Sequence, residues 1–128
     1  MENQKSALGM DGNVTALIGY LIGIVALVLI FIEKENKFVR YHAIQSVLWT
    51  ALCLIGIFII AIVGSILALI LAQISPGLAA IVGILFFILY FAILIAIVGG
   101  HIYGAIKAYG GAMFKLPVVG NFAEKWSN

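Results

Sequence analysis

Three long stretches without a charged residue fill most of this chain and limit its fold more than any other feature. They cover residues 14–32, 43–72 and 78–100. A helix rises about 1.5 Å per residue and the hydrocarbon core of a bilayer is about 30 Å thick, so about 20 apolar residues can cross it. Each stretch therefore predicts a membrane-spanning helix.

The composition argues against an ordinary soluble domain. Of the 128 residues, 65% are hydrophobic and 9% are charged, whereas soluble domains carry about 25% charged residues. We predict an all-α integral membrane helical bundle of three transmembrane helices and a short interfacial C-terminal helix. It forms a single domain, 1–128, with spans at about 14–32, 43–72 and 78–106 and a cytoplasmic tail at 107–128.

The second and third stretches are expected to form a helical hairpin. Pro76 and Gly77 interrupt the apolar pattern between them, and both residue types disfavour a continuous helix. Residues 43–72 would make a helix of about 45 Å, so tilt or protrusion has to absorb its excess over the bilayer.

The basic residues set the expected orientation, because lysine and arginine are retained on the cytoplasmic side. In chain order they are Lys5, Lys34, Lys37, Arg40, Lys107, Lys115 and Lys125. With three spans, all of them except Lys5 share one side. The sequence therefore predicts a multi-pass protein of the cell membrane with its N-terminus outside and its C-terminus in the cytoplasm.

The most unusual polar cluster opens the second stretch. His42, Gln45, Ser46 and Trp49 are spaced i, i+3, i+4 and i+7, so they share one face of a helix. Polar groups without partners are costly in hydrocarbon, and this face should turn toward protein or headgroups. Whether it lines a cavity or a helix contact stays open at this level.

Arg40 and His101 complete this candidate interaction face. His101 is expected at the same depth, since the end of the third span and the start of the second are both cytoplasmic. Two imidazoles can bind a metal, but such sites normally recruit further ligands, so neither a metal nor a cofactor is predicted.

Ser46 with His42 is the one plausible nucleophile and base, and Asp11 is expected across the bilayer from them. We predict a protein that is not an enzyme and has no catalytic residues.

Two pairs of glycines mark candidate packing positions. Gly19 with Gly23 and Gly100 with Gly104 have the Gly-x-x-x-Gly spacing, which lets helices approach closely in lipid. The contacts can lie within the chain or between copies, so a homo-oligomer remains open.

The C-terminal tail mixes apolar and basic residues. Phe122 and Trp126 alternate with charged positions after Pro117, a pattern that predicts a short interfacial helix over about 121–126. Together with the lysines it should favour the anionic lipids of the cytoplasmic face. No nucleic-acid partner is predicted.

Several segments together carry a family resemblance. They are Asp11-Gly12-Asn13-Val14, the block from Phe38 to Ser46, and the block from Lys115 to Lys125. The chain resembles, over nearly its whole length, a family of small uncharacterised prokaryotic membrane proteins. That family is often labelled as similar to the twenty-kilodalton import component of the chloroplast inner-envelope translocon. The resemblance implies a multi-span membrane protein and supplies no established activity.

Three classes of function fit these observations. The favoured one is a structural or assembly accessory protein that docks a membrane protein partner through the polar face and the tail. The alternative is a small homo-oligomeric pore or transporter, although charged residues deep in the spans, the usual marker, are missing. The third, an intramembrane enzyme, would depend on Ser46 and His42.

Overall fold

The computed structural model describes residues 3–128 and is built from helices. The helices are α1 (Gly12–Leu21), α2 (Gly23–Ile32), α3 (Lys37–Ala72), α4 (Pro76–Tyr109) and α5 (Val119–Ser127). No β-strand occurs in this described part, where one isolated bridge pairs Lys5 with Asp11. The predicted all-α class is confirmed, and residues 1 and 2 of the predicted domain lie outside the described residues.

The prediction of three transmembrane helices is wrong. Within residues 3–128, two helices are long and apolar enough to cross a membrane, α3 and α4. The first apolar stretch is divided at Ile22, whose extended backbone (φ −125°, ψ 95°) separates α1 from α2. Each of these two helices has 10 residues and is about 15 Å long, half the length that the hydrocarbon core requires.

α1 and α2 pack against each other as an antiparallel hairpin. Near the turn, Gly19 of α1 lies against Ala26 and Leu29 of α2. At the other end, the start of α1 at Gly12 lies beside Asn36, just beyond the end of α2. Ala26 and Leu29 are fully buried, so small and branched apolar side chains close the contact between the two short helices.

The connection between α3 and α4 is three residues long, from Gln73 to Ser75. Pro76 begins α4, a position where its missing N–H costs no helical hydrogen bond. Ser75 Oγ accepts a hydrogen bond from the Leu78 N–H at 3.3 Å and so caps the helix.

The chain divides into two compact units. The terminal unit comprises the described residues through Ala51 together with Val98–Asn128, and the central unit comprises Leu52–Ile97. In the central unit the helices approach closely at Gly64, where an added Cβ would lie 2.7 Å from the ring of Phe86. Its outward side chains are apolar and exposed, as expected for helices that face lipid.

The terminal unit holds the buried core. Its larger cluster of buried apolar side chains includes Ala16, Tyr20, Ala26, Leu29, Val39, Ala43, Ala105, Ala108, Leu116 and Val119. α4 ends in this unit with Gly111 at φ 77°, and the hydrogen bonds Gly111 N to Ala108 O and Ala112 N to Lys107 O, both 3.0 Å, form a Schellman motif. The chain then runs without regular structure to α5, which begins close to the helix predicted at 121–126.

Candidate functional site

The polar face predicted on the second stretch lies inside the terminal unit. His42 and Gln45 are fully buried and Ser46 is 1% exposed, while Trp49, one turn further, is partly buried. Because α3 places these residues one above another, they meet α1, the end of α4 and the segment between α4 and α5. The face contacts the protein's own chain, so it offers no free surface to a partner.

Gln45 is the centre of the network. Its Nε2 donates to the Tyr20 hydroxyl at 2.8 Å and to the Phe114 carbonyl at 3.3 Å. Its Oε1 accepts from the Leu116 N–H at 2.9 Å and lies 3.1 Å from the Tyr41 hydroxyl. Both amide hydrogens and one position of Oε1 are therefore used, while the single proton of the Tyr41 hydroxyl goes to the nearer Phe114 carbonyl.

The segment between α4 and α5 is not helical, so its backbone groups need hydrogen-bond partners from elsewhere. Side chains of α3 provide these partners. Tyr41 donates to the Phe114 carbonyl at 2.6 Å, and His42 Nε2 lies 3.1 Å from the Ala112 carbonyl. Buried backbone groups without partners are costly. These side chains therefore hold residues 112–116 in place and, through them, fix the start of α5.

Tyr20 joins α1 to this network. Its hydroxyl lies 3.1 Å from His42 Nδ1. A carbonyl can only accept, so His42 Nε2 carries the proton toward Ala112, and Nδ1 accepts from Tyr20. The phenol is therefore a neutral donor in this chain of hydrogen bonds.

Two further hydroxyls of α3 bind neighbouring helices. Ser46 Oγ donates to the Gly19 carbonyl at 3.1 Å, near the end of α1. Thr50 Oγ1 lies 3.0 Å from His101 Nε2 on α4. His101 thus meets α3 at Thr50, one residue after Trp49, and its ring makes an edge-type contact with the Tyr20 ring at a centroid distance of 6.2 Å.

Arg40 does not join the other members of the predicted face. It is two residues before His42, so its side chain leaves α3 on the opposite side, and its Nη1 donates to the Glu33 carbonyl at 3.2 Å. The Glu33 carboxylate is buried and accepts from Ala7 N at 2.7 Å and Asn36 N at 3.0 Å. This second cluster ties the N-terminal segment to the connection between α2 and α3.

The predicted packing glycines differ in what they contact. A Cβ at Gly104 would lie 2.5 Å from the Tyr20 ring, and one at Gly100 would overlap the Trp49 indole. Gly19 is in ordinary contact distance of α2, and Gly23 faces open space. Three of the four therefore lie at helix contacts within the chain, and Gly23 follows the α1–α2 turn.

A cavity of about 480 Å³ opens elsewhere in the terminal unit. Its lining includes Asn13, Asn36, Lys37 and Tyr109. The two amides are already bound, since Asn13 Nδ2 donates to the Tyr109 carbonyl at 3.0 Å and Asn36 Nδ2 to the Gln4 carbonyl at 2.8 Å. The cavity wall is thus held by the chain's own hydrogen bonds.

The geometry of the network bears directly on chemistry. Ser46 donates to a backbone carbonyl and both His42 nitrogens contact other groups, so these two side chains are not arranged as nucleophile and base. Across residues 3–128, no three His, Cys, Asp or Glu side chains gather as a group able to hold a metal ion. The arrangement is suited to holding segments of the chain together.

Sequence reasoning located the face but missed Tyr20, Tyr41 and Thr50. Tyr20 and Thr15 are the two polar side chains of the first apolar stretch, and Thr50 lies one turn beyond Ser46. A polar side chain within an apolar run was the available signal, since such groups need a partner in lipid.

Comparisons with known proteins give a consistent result. Residues 3–123 match the model of the magnetosome magnetite crystal formation protein family, MamF/MmsF. A UPF0132 membrane protein of Methanocaldococcus jannaschii is 36% identical over 126 residues, covering 96% of this chain and 94% of the relative. One from Archaeoglobus fulgidus is 33% identical over 117 residues, covering 91% and 95%. No solved structure matches. None of these names mentions an import component, so the label expected from the sequence has no support.

Proposed function

The chain belongs to the magnetosome magnetite crystal formation protein family, MamF/MmsF, and from this membership we propose that it is a non-enzymatic assembly accessory protein of a membrane. The family description names the formation of magnetite crystals of the magnetosome. The archaeal relatives are named only as membrane proteins. Our proposal therefore concerns assembly at the membrane and does not extend to the mineral.

The observation that carries the proposal is the way the buried network presents α5. One face of α5 is buried through Val119, Gly120 and Ala123. On the other face the rings of Phe122 and Trp126 are 49% and 52% exposed, with centroids 5.8 Å apart. Clustered aromatic side chains dominate binding energy at protein interfaces, and here a rigid base holds them outward.

Charged groups surround this aromatic pair. Lys115 Nζ binds Glu124 Oε2 at 2.6 Å and Asn121 Oδ1 at 3.1 Å, and Lys125 is exposed on the same short helix. An apolar centre with a polar rim is the usual anatomy of a protein interface. The partner we propose is therefore another protein at the membrane surface.

The corrected number of spans changes the proposed orientation. With α3 and α4 as the spanning helices, every lysine and arginine lies before the apolar part of α3 or after that of α4. The connection Gln73–Ser75 contains none. Because basic residues are retained on the cytoplasmic side, we propose that both termini, and with them α5, lie in the cytoplasm. The N-terminus is thus moved from the outer side, where three spans had placed it.

The pore or transporter alternative gains no support from the central unit. Between residues 52 and 97 the sequence contains no charged residue, whereas polar conduits are normally lined by charged or strongly polar groups. The buried polar side chains His42, Gln45 and Ser46 of the terminal unit bind groups of the same unit. We therefore keep the accessory role as the single proposal.

Photocrosslinking in native membranes tests it. A photoreactive amino acid replaces Trp126, and a matched one replaces Leu8, which is also apolar and 44% exposed but lies outside α5. We expect position 126 to capture one distinct protein and position 8 not to capture it. Adducts of position 126 with lipid alone, or with a second copy alone, would contradict a partner on this surface.

A further inference from the structure

We propose that α1 and α2 form a re-entrant hairpin. The hairpin enters one leaflet from the side of the bilayer that carries the lysine and arginine residues and returns to that side, with lipid acyl chains against its outer face. This proposal concerns a surface other than α5 and does not depend on the accessory role. It explains how the first apolar stretch, which is divided into two helices too short to span the bilayer, is placed in the membrane.

The length of the hairpin fits one leaflet. α1 and α2 have 10 residues each and a single residue, Ile22, between them. Each helix is about 15 Å long, half of a hydrocarbon core of about 30 Å. A hairpin of this height can reach the middle of the bilayer and no further.

The charges lie only at the open end. Residues 12–32 contain no charged side chain, while Lys5 pairs with Asp11 just before α1. Glu33 and Lys34 follow α2 directly. The tip, by contrast, exposes Leu21 and Ile22 by 61% and 50%. This polarity along the hairpin axis is what insertion from one side requires, because charged groups stay in the headgroup region.

α2 has one buried and one exposed apolar face. Ala26 and Leu29 are fully buried. The exposed face carries Ile24, Leu27, Val28 and Phe31, at i, i+3, i+4 and i+7, of which Ile24 is 71% and Phe31 69% exposed. A helix of a soluble unit would place polar residues on that side. A helix that is apolar all round belongs in hydrocarbon or in a protein core.

Several backbone polar groups near the tip have partners within the protein, which favours a turn at membrane depth. Ile22 N donates to the Ile18 carbonyl at 2.8 Å, and Val25 N donates to the Ile22 carbonyl at 2.9 Å. The Gly19 carbonyl, at the end of α1, accepts from Ser46 of α3 at 3.1 Å. The protein thus supplies hydrogen bonds that lipid cannot.

α4 gives the depth of the tip. Asn13 binds the Tyr109 carbonyl at 3.0 Å, and Tyr20 contacts Gly104 and His101. From Tyr109 to His101 a helix rises about 12 Å, so the tip lies about one leaflet deeper than the open end. Along this part of α4, Ile102 and Ile106 are 50% and 63% exposed, which extends the apolar surface at the same depth.

Insertion has a geometric requirement. The uncharged part of α3, residues 43–72, is about 45 Å long, and a tilt of about 40° from the bilayer normal reduces its projection to about 34 Å. Transmembrane helices reach such tilts. One leaflet can therefore cover the hairpin with only a small local increase in bilayer thickness.

The first test measures sidedness with single cysteines in the Cys53→Ala background. Lys5→Cys, Lys34→Cys and Ile74→Cys all replace exposed residues. In sealed, oriented vesicles a membrane-impermeant maleimide should label positions 5 and 34 from one side and position 74 from the other. If α1 and α2 crossed the bilayer as one helix, the maleimide would label positions 5 and 74 from the same side and position 34 from the opposite side. That result would show the proposal to be wrong.

The second test measures depth. A fluorophore on Ile24→Cys, and on Phe31→Cys as a second site, is compared with one on Lys34→Cys in phosphatidylcholine vesicles with some phosphatidylglycerol. We expect quenching at 24 by a nitroxide placed deep in the acyl chain, and quenching at 34 by aqueous iodide. Iodide quenching at position 24 would show that the face is in water and would overturn the proposal. Protection of position 24 from both quenchers would also overturn it, because protein would then cover the face.

Discussion

Replacing Gln45 by leucine tests whether the buried network holds the C-terminal segment. The change keeps the side-chain volume close to that of glutamine but removes one amide donor group and one acceptor. Gln45 bonds Tyr20, Phe114 and Leu116. We expect a destabilised protein in which residues 112–128 leave their position more often than in the wild type.

The magnitude follows from which groups lose every partner. Tyr20 retains His42, and the Phe114 carbonyl retains Tyr41. The Leu116 N–H, in a residue that is 6% exposed, loses its bond to Gln45. A buried donor without a partner costs about 1–3 kcal/mol. We expect Gln45→Leu to lower the free energy of unfolding by about 2 kcal/mol, a factor of about 30 in the folding equilibrium.

Two measurements separate this effect from a general loss of stability. Unfolding in mixed micelles with increasing dodecyl sulfate, followed by tryptophan fluorescence, gives the change in free energy. Limited trypsin digestion reports release of the tail through cleavage after Lys115. The matched control is Gln73→Leu, the same substitution at an exposed position after α3. Equal stability and equal cleavage of the two variants would refute the reasoning.

Two other substitutions test close packing and backbone strain. Gly104→Ala should lower the unfolding midpoint, because its Cβ would lie 2.5 Å from the Tyr20 ring and overpacking costs about 1–3 kcal/mol. Gly99→Ala on the same helix meets nothing within 4 Å and should leave the midpoint unchanged or raise it. Val118 has φ 66° and ψ −57° in a γ-turn closed by a 2.7 Å bond between its neighbours. Glycine adopts this conformation freely, and such strain costs about 1–3 kcal/mol, so Val118→Gly should raise the midpoint. A lower midpoint for Val118→Gly, or equal midpoints for the two alanine variants, would contradict these expectations.

Residue patterns were sufficient to predict features that lie within a single helix. Residues 43–72 and 78–106 lie within α3 and α4, because long uncharged runs in lipid have few alternatives to a helix. The shared face of His42, Gln45 and Ser46 follows from helical spacing alone. Its orientation toward protein follows from the cost of a polar group without a partner.

The first stretch shows where such patterns stop being informative. Residues 14–32 are apolar except for Thr15 and Tyr20 and contain no proline or charge, and this composition suits one spanning helix as well as two short ones. The break at Ile22 depends on contacts of Gly19 with Ala26 and Leu29 and on the Ser46 bond to the Gly19 carbonyl. No local pattern contains those contacts.

By itself, then, the sequence determined that this is an all-helical membrane protein, where its long helices lie and which side chains need buried partners. Those properties depend on residue type and spacing along the chain. The tertiary structure alone decided that the first stretch turns back at Ile22 and that Arg40 binds the Glu33 carbonyl. It also decided that Gln45 binds a segment about 70 residues away. These outcomes depend on which backbone groups meet in space, and the hydrogen bonds that decide them join residues that no sequence period relates.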